Sequence, residues 1–222
     1  MSNRSVGIES VLSPEFAQNC FVVWRRGSSE AIIFDPGFNT EGILDVLSRE
    51  ELVPVAIVNT HGHADHIAGN QVLKQLFPST PLMIGANEAS FLSDPEKNLS
   101  ALFGFAIVSP EAERLLVHGE TVELAGLRFE VREIPGHSPG SLIFYCDQTD
   151  PPIILGGDVL FAGSVGRTDF GGSMKQLTEG IRTKLFTLPD HAVVYPGHGP
   201  ETTIGVEKRT NPYVGAAASD VG

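Results

Sequence analysis

From residue 60 to residue 66 the chain reads Thr-His-Gly-His-Ala-Asp-His, so His61, His63, Asp65 and His66 fall within six residues. An apolar segment, Val53 to Val58, interrupted by Pro54, leads into this stretch, and a helical pattern, Ile67 to Phe77, follows it. The cluster is therefore expected on a loop between a strand end and a helix start, where a rigid scaffold presents side chains to solvent. Imidazole nitrogen and carboxylate oxygen are the ligands that suit zinc and similar divalent ions. In an extended loop His61 and His63 project to the same side; Asp65 shares that parity and His66 turns aside. One stretch could thus supply two adjacent metal positions. A polar loop of hydrogen-bonded histidines would explain one such residue, but four in this arrangement read as a metal or catalytic site.

With 222 residues, 41% of them hydrophobic, the chain can bury one substantial core. The formal charge of -12 argues against nucleic acid as a partner, because phosphate binding needs clustered Lys and Arg. The first residues, Met1 to Ser5, lack the apolar core of a signal peptide. No segment approaches the ~20 apolar residues of a spanning helix, so no membrane association is expected. Cys20 and Cys146 sit in apolar strand-like runs and read as buried free thiols. These features together predict a cytoplasmic protein; no motif speaks to its oligomeric state.

Short apolar runs at Val6 to Leu12, Cys20 to Trp24 and Ala31 to Phe34 predict three strands, separated by turn formers. The third ends at Asp35-Pro36-Gly37; taken alone, Asp35 is a turn former. Thr40 to Leu52 predicts a helix, with Ile43, Val46 and Leu47 on one face. Pro81 to Ile84 predicts another short strand. Residues 86 to 110 are apolar but broken by Pro95 and Gly104, and fit either a flap over a pocket or plain packing. Strands are expected again at Leu115 to Val117, Thr121 to Leu124, Leu127 to Ile134, Ser141 to Cys146, Ile153 to Leu155 and Ala192 to Tyr195. Met174, Leu177, Ile181 and Leu185 mark an amphipathic helix. Leu127 to Ile134 alternates apolar and charged residues, the pattern of a strand with one wet face. Two β-rich halves, each finishing with a helix, predict two packed sheets with helices outside. The domain is expected to span 1–213, and residues 214–222 are expected to be disordered.

Three more ligand-type residues follow a glycine at a strand end: His137 in Pro-Gly-His, Asp158 in Gly-Gly-Asp and His198 in Pro-Gly-His. Each alone could be a turn residue. Together they repeat one device, a strand delivering a ligand to the same end of a sheet, with glycine allowing close backbone approach. His118 and His191 lack this setting and read as surface turn residues.

The order His61-Gly-His63-Ala-Asp65-His66, His137, Asp158, His198 resembles the metallo-β-lactamase superfamily, from about Cys20 to Pro212. Gly163-Ser-Val-Gly-Arg167-Thr-Asp-Phe170 and Pro196-Gly-His-Gly-Pro-Glu-Thr-Thr203 resemble its glyoxalase II branch, in particular short single-domain forms. The resemblance implies a four-layer αββα sandwich. It further implies that His61, His63 and His137 hold one metal, that Asp65, His66 and His198 hold a second, and that Asp158 bridges them. Asp35 matches an Asp that supports the ligands, and Arg167 a basic residue that contacts glutathione. The implied cofactor is a pair of divalent ions, zinc first, with iron or manganese as alternatives. Two departures stand out. Asp169 replaces an aromatic contact, and the helical domain that completes the glutathione site is absent after His198.

Thioester hydrolysis is accordingly better supported than glutathione specificity. The implied activity is metal-dependent hydrolysis of thioesters of the hydroxyacylglutathione type through a metal-bridging hydroxide, with Asp65 and Asp158 as catalytic carboxylates. The expected partner is a small anionic thioester, anchored by Arg167 unless that residue is merely a surface Arg. The rival activity is a persulfide dioxygenase of the same fold, with one iron on His61, His137 and Asp158. A non-catalytic or redox-partner module is the third reading.

Overall fold

The structure is a computed structural model, and it describes residues 5–216 and 218. Strands β1 (Val6–Ser13) and β2 (Gln18–Arg25) form a hairpin, and β3 (Glu30–Phe34) pairs antiparallel with β2. Then β4 (Val53–Val58), β5 (Leu82–Gly85) and β6 (Arg114–Leu116) add in parallel, completing a six-stranded sheet in sequence order. Pro54 has no N–H to give the ladder, and the β3–β4 register shifts there.

The second sheet also has six strands. Its antiparallel meander is β7 (Thr121–Leu124), β8 (Leu127–Glu133), β9 (Leu142–Cys146) and β10 (Ile153–Gly157). A small hairpin, β11 (Leu160–Phe161) and β12 (Ser164–Val165), follows; β13 (Val193–Pro196) pairs parallel to β10, and β14 (Thr202–Thr203) closes the edge.

Phe21, Val23, Ile32 and Phe34 face Phe129, Val131, Leu142 and Phe144 across the two sheets. Phe34 meets Phe129 and Phe144 edge-on at 5.7 and 5.2 Å, the geometry ring quadrupoles favour. Helices cover both outer faces. Ile43, Val46 and Leu47 of α1 (Thr40–Arg49) and Leu73 of α3 (Asn70–Leu76) pack on Val22, Ile33 and Ile57. Leu177 of α4 (Met174–Gly180), Ile181 and Leu185 of the π-helical turn after it, and Ile204 of α5 (Ile204–Thr210) pack on Ile143, Ile154 and Val194. The result is the expected αββα sandwich. Strands β2 and β3 are buried on both faces because the inter-sheet core lies on one side and helices on the other.

Several local expectations need correction. Helix α1 stops at Arg49, short of Leu52, because Glu51 takes a left-handed φ of 53°. The helix expected at Ile67 to Phe77 comes as two pieces, α2 (Ala64–Ile67) and α3, separated where Gly69 N–H donates to Pro36 O at 2.8 Å. Helix α2 therefore starts inside the histidine stretch, so Asp65 and His66 lie on a helical turn and the alternating parity ends at His63. Strand β14 and helix α5 carry no strong pattern and were not anticipated. The tail expected to be disordered from residue 214 begins packed: Val214 is buried, and Gly215 and Ala216 donate to Asn211 O and Lys208 O. Of the rest of that tail, residues 217 and 219–222 lie outside the described residues. Cys20 and Cys146 are buried and free, and His118 and His191 are exposed, as expected.

Candidate metal centre

The C-terminal ends of β3, β4, β8, β10 and β13 all reach one rim of the sandwich, which brings Asp35, His61, His137, Asp158 and His198 together. Backbone hydrogen bonds stitch the sheets there, with Leu142 N–H donating to Thr60 O at 2.8 Å and Asn19 N–H to Gly197 O at 2.7 Å. Close packing explains the residue before His198: a Cβ on Gly197 would lie 2.2 Å from Asp158 Oδ1 and 2.6 Å from His66 Cε1.

His61 Nε2, His63 Nδ1 and His137 Nε2 form a triangle with sides of 3.0, 3.2 and 2.9 Å. Hydrogen bonding behind the rings fixes two of the tautomers. A carbonyl only accepts, so His137 Nδ1–H donates to Arg167 O at 2.8 Å. Thr60 Oγ1 gives its single proton to Asp35 Oδ2 at 2.7 Å and so accepts from His61 Nδ1–H at 3.2 Å. Both Nε2 atoms are then bare lone pairs facing each other. Burial, and then the neighbouring imidazoles, hold His61 well below the ordinary histidine range; burial and then His137 push His63 down to about 3. Neutral imidazoles with converging lone pairs repel unless a cation lies between them. Tetrahedral ligation at about 2.0–2.1 Å separates ligand nitrogens by ~3.3 Å, close to the triangle found.

A second group adjoins the first. His198 Nε2 lies 3.2 Å from Asp65 Oδ2 and 3.4 Å from Asp158 Oδ2; His66 Nε2 lies 3.8 Å from Asp65 Oδ2 and 3.4 Å from Asp158 Oδ1. Asp158 Oδ2 also comes within 3.5 Å of His137 Nε2, so this carboxylate stands between the two groups. Four buried side-chain polar atoms lack a hydrogen-bond partner among the described residues, and three are here: both ring nitrogens of His66 and Oδ1 of Asp158. His66 Nδ1 is 3.1 Å from Asp35 Oδ2, within ion-pair range but out of line for a hydrogen bond. Orphaned buried donors and acceptors are costly, and a divalent ion would satisfy them, so the residues fit a metal pair. Without metal, burial opposes charge on His66, yet Asp158, Asp65 and Asp35 push it up to about 10. His198 is raised too, against burial, by Asp65 and Asp158. Asp65 is held low, against burial, by His66 and His198.

Asp35 belongs to neither ligand group but touches one member of the second, His66. Its Oδ1 accepts from Thr60 N–H at 2.6 Å while Oδ2 serves Thr60 Oγ1 and His66, so one carboxylate orients ligands of both groups. Arg167 lines the cavity. Its guanidinium lies at the rim of the cavity, bound through Nε and Nη2 to Asp169 at 3.0 and 2.6 Å and stacked 4.5 Å from the Phe170 centroid. Its closest tie to the centre is its carbonyl on His137.

Sequence reasoning missed Glu88. This buried carboxylate accepts from Gly62 N–H at 3.0 Å and Gly140 N–H at 2.7 Å, clamping the loops that carry His61/His63 and His137. Burial raises its pKa despite these bonds. Nor was Asn98 foreseen; it accepts from Ser100, donates to Phe91 O and Ile107 O, and receives Ala64 N–H on its carbonyl at 2.9 Å. Residues 86–110 are thus a built wall, tied to the start of α2. Leu99 stands in it at a φ of 69°, a conformation that costs a bulky residue about 1–3 kcal/mol and that its neighbours must hold.

A cavity of ≈ 270 Å³ opens over both ligand groups. Strand ends of an αββα sandwich delivering two adjoining His/Asp groups to such a cavity define a metal-dependent hydrolase class. The metallo-beta-lactamase superfamily model matches residues 13–198, and the chain belongs to that superfamily. Among its relatives, a probable metallo-hydrolase of Streptococcus pyogenes serotype M6 is 39% identical over 82% of this chain and 80% of its own length. The hydroxyacylglutathione hydrolase GloC of Haemophilus influenzae is 36% identical over 94% of this chain and 98% of its own. Among solved structures, BLEG-1 B3 metallo-beta-lactamase superposes with a TM-score of 0.88 at 37% identity, covering 94% of this chain and 99% of that one. TTHA1623 in a di-iron-bound form superposes at 0.81 and 33%, covering 92% and 99%. Among the described residues no helix is long and apolar enough to cross a membrane.

Proposed function

We propose that the protein hydrolyses thioesters of the hydroxyacylglutathione type, with two divalent ions held by His61, His63 and His137 and by Asp65, His66 and His198, and Asp158 shared between them. The observation that carries this reading is the pair of bare Nε2 lone pairs beside a second group of unsatisfied buried ligands, both opening on one cavity. The adjoining second group favours two ions over the single iron of a dioxygenase. The Haemophilus relative, a hydroxyacylglutathione hydrolase, supports the substrate class, and the di-iron-bound form of TTHA1623 supports iron beside zinc as the metal.

When bound, such ions polarise a carbonyl and lower the pKa of a coordinated water. The protein's own groups do the rest. Asp65, part-exposed to the cavity, accepts a hydrogen bond from the attacking water and orients it. The Thr60–Asp35 pair and the Arg167 carbonyl keep His61 and His137 in the tautomers that present Nε2. A thiol with a pKa near ~8.5 leaves as thiolate without prior protonation, so no general acid is required for the departing half.

Purified protein loaded with zinc or iron tests the reading by thiol release from S-lactoylglutathione. Release should stop on chelation and return when metal is restored. Asp158→Ala should lose metal from both positions, and His198→Ala mainly from the second. Oxygen uptake on glutathione persulfide with no thioester cleavage would replace hydrolysis by the dioxygenase reading, and two full equivalents of metal in Asp158→Ala would contradict the shared ligand.

A further inference from the structure

The cavity has an apolar side that the hydrolytic roles leave unused. Beyond the ligand set its lining includes Phe16, Leu99, Phe103, Phe161, Phe170 and Arg167. Phe16 and Phe103 belong to a cluster of four rings. Phe16 stacks on Phe38 at 5.5 Å and meets Phe103 edge-on at 5.2 Å, while Phe105 lies 6.0 Å from Phe38 and 6.2 Å from Phe103. The rings come from three separate stretches: the β1–β2 turn, the loop after β3 and the 86–110 wall. Yet Phe103 remains 54% exposed and Phe170 39%. Single exposed hydrophobics are ordinary, but rings gathered from several segments at the mouth of one cavity mark a surface that a ligand covers.

Charge points the same way. Among the described residues Arg167 is the only Lys or Arg lining the cavity, and Asp169 already holds it. The ≈ 270 Å³ of space lies just under the range of ~300–1,000 Å³ for pockets that enclose drug-sized ligands, so it can take an acyl group but not a whole tripeptide conjugate.

We infer that the substrate's acyl group is bulky and apolar, an aromatic ring above all, seated against Phe16, Leu99 and Phe103, with the thiol-bearing half projecting outward. This rests on the hydrolase reading. Water adds to the thioester carbonyl, a C–O bond forms, the C–S bond breaks and the thiolate leaves with the electron pair. The products are an arylated carboxylate and a thiolate; of the two protons of the water, one is taken up by the thiolate to give the thiol and the other is released to solvent.

Two pairs of probes on the metal-loaded protein separate the wall from the chemistry. S-mandeloylglutathione and S-lactoylglutathione differ by a phenyl in place of a methyl. S-phenacylglutathione and S-acetonylglutathione make the same contrast in thioethers that cannot be hydrolysed, and their binding is read by calorimetry. The mandeloyl ester should be preferred roughly 10- to 100-fold in kcat/KM, and the phenacyl thioether should bind roughly tenfold tighter. Both ratios should fall toward one in Phe16→Ala/Phe103→Ala. They should stay as in the unmutated protein in Leu102→Ala, an equally exposed neighbour that does not line the cavity. Should the double variant not fold, Phe103→Leu, which stays apolar but loses the ring, should show intermediate ratios. Cleavage of both esters at equal rates, or ratios that survive the double variant, would overturn the wall and leave the hydrolase reading standing. Phenacyl preference with no cleavage of either ester would do the reverse.

Discussion

At the scale of residues, the centre is governed by where protons sit. His63, at about 3, is neutral near pH 7, whereas His66, at about 10, carries a proton when no metal is bound. His61 and His63 therefore have no proton to release when the first position fills, whereas filling the second should expel one from His66 and a share from His198, which is also raised. Calorimetric metal titration in two buffers of different ionisation enthalpy checks this; equal proton release at both steps would refute it. The metal-free protein follows the same signs. The lowered His63 contributes stability above the ordinary 6.5, which is lost as pH falls toward about 3. The raised His66 contributes stability below 6.5, which is lost as pH rises toward about 10. Chelated protein should thus melt highest near pH 6.5 and lower on either side. Arg167 invites another experiment. Its exposed ion pair with Asp169 is screened and weak, so Asp169→Asn should free the guanidinium and improve kcat/KM on anionic thioesters only roughly 1.5- to 5-fold, read against a neutral thioester.

At the scale of elements, the turn Ala86–Phe91 holds two ligand loops in register through Glu88. A glutamine there has one acceptor oxygen, and its amide group would face the remaining glycine N–H donor to donor. Glu88→Gln should cost about 1–3 kcal/mol for each backbone N–H left unpaired and should loosen metal at the His61/His63/His137 position first. Thermal melting together with metal content checks both parts; full metal occupancy at an unchanged melting temperature would show the clamp to be dispensable. The same turn explains Gly62, whose Cβ would lie 2.3 Å from Phe91 Cβ, so the close approach of this element requires glycine between the two histidines.

At the scale of the whole molecule, the sandwich gathers anionic and lone-pair ligands at one rim and closes the sheets over them. Metal that binds only the folded state stabilises it by about 2.7 kcal/mol at a hundredfold excess over Kd. For a chain of this size that corresponds to roughly 5–10 °C in Tm. Verified removal of metal should lower the melting temperature by that order, and an unchanged curve would count against a tightly held pair.

The sequence by itself determined the ligand types, most of the strands and the layered fold, because alternation, helical periodicity and the His/Asp pattern are properties of neighbouring residues. Its seven ligand-type residues are the ones the strand ends bring together. What only the tertiary structure decided is how those residues are held. The Glu88 clamp spans 26 and 52 residues, and the His137–Arg167 carbonyl bond spans 30; an acceptor whose donor lies that far along the chain leaves no local signature. Residues 86–110 resolved into a wall because Asn98 and Ser100 satisfy its backbone, and the Phe cluster exists only where three distant segments meet. Asp65 and His66 reach the second group together because a helical turn begins at Ala64, a boundary set by the hydrogen bond from Ala64 N–H to Asn98 O rather than by any residue within the turn.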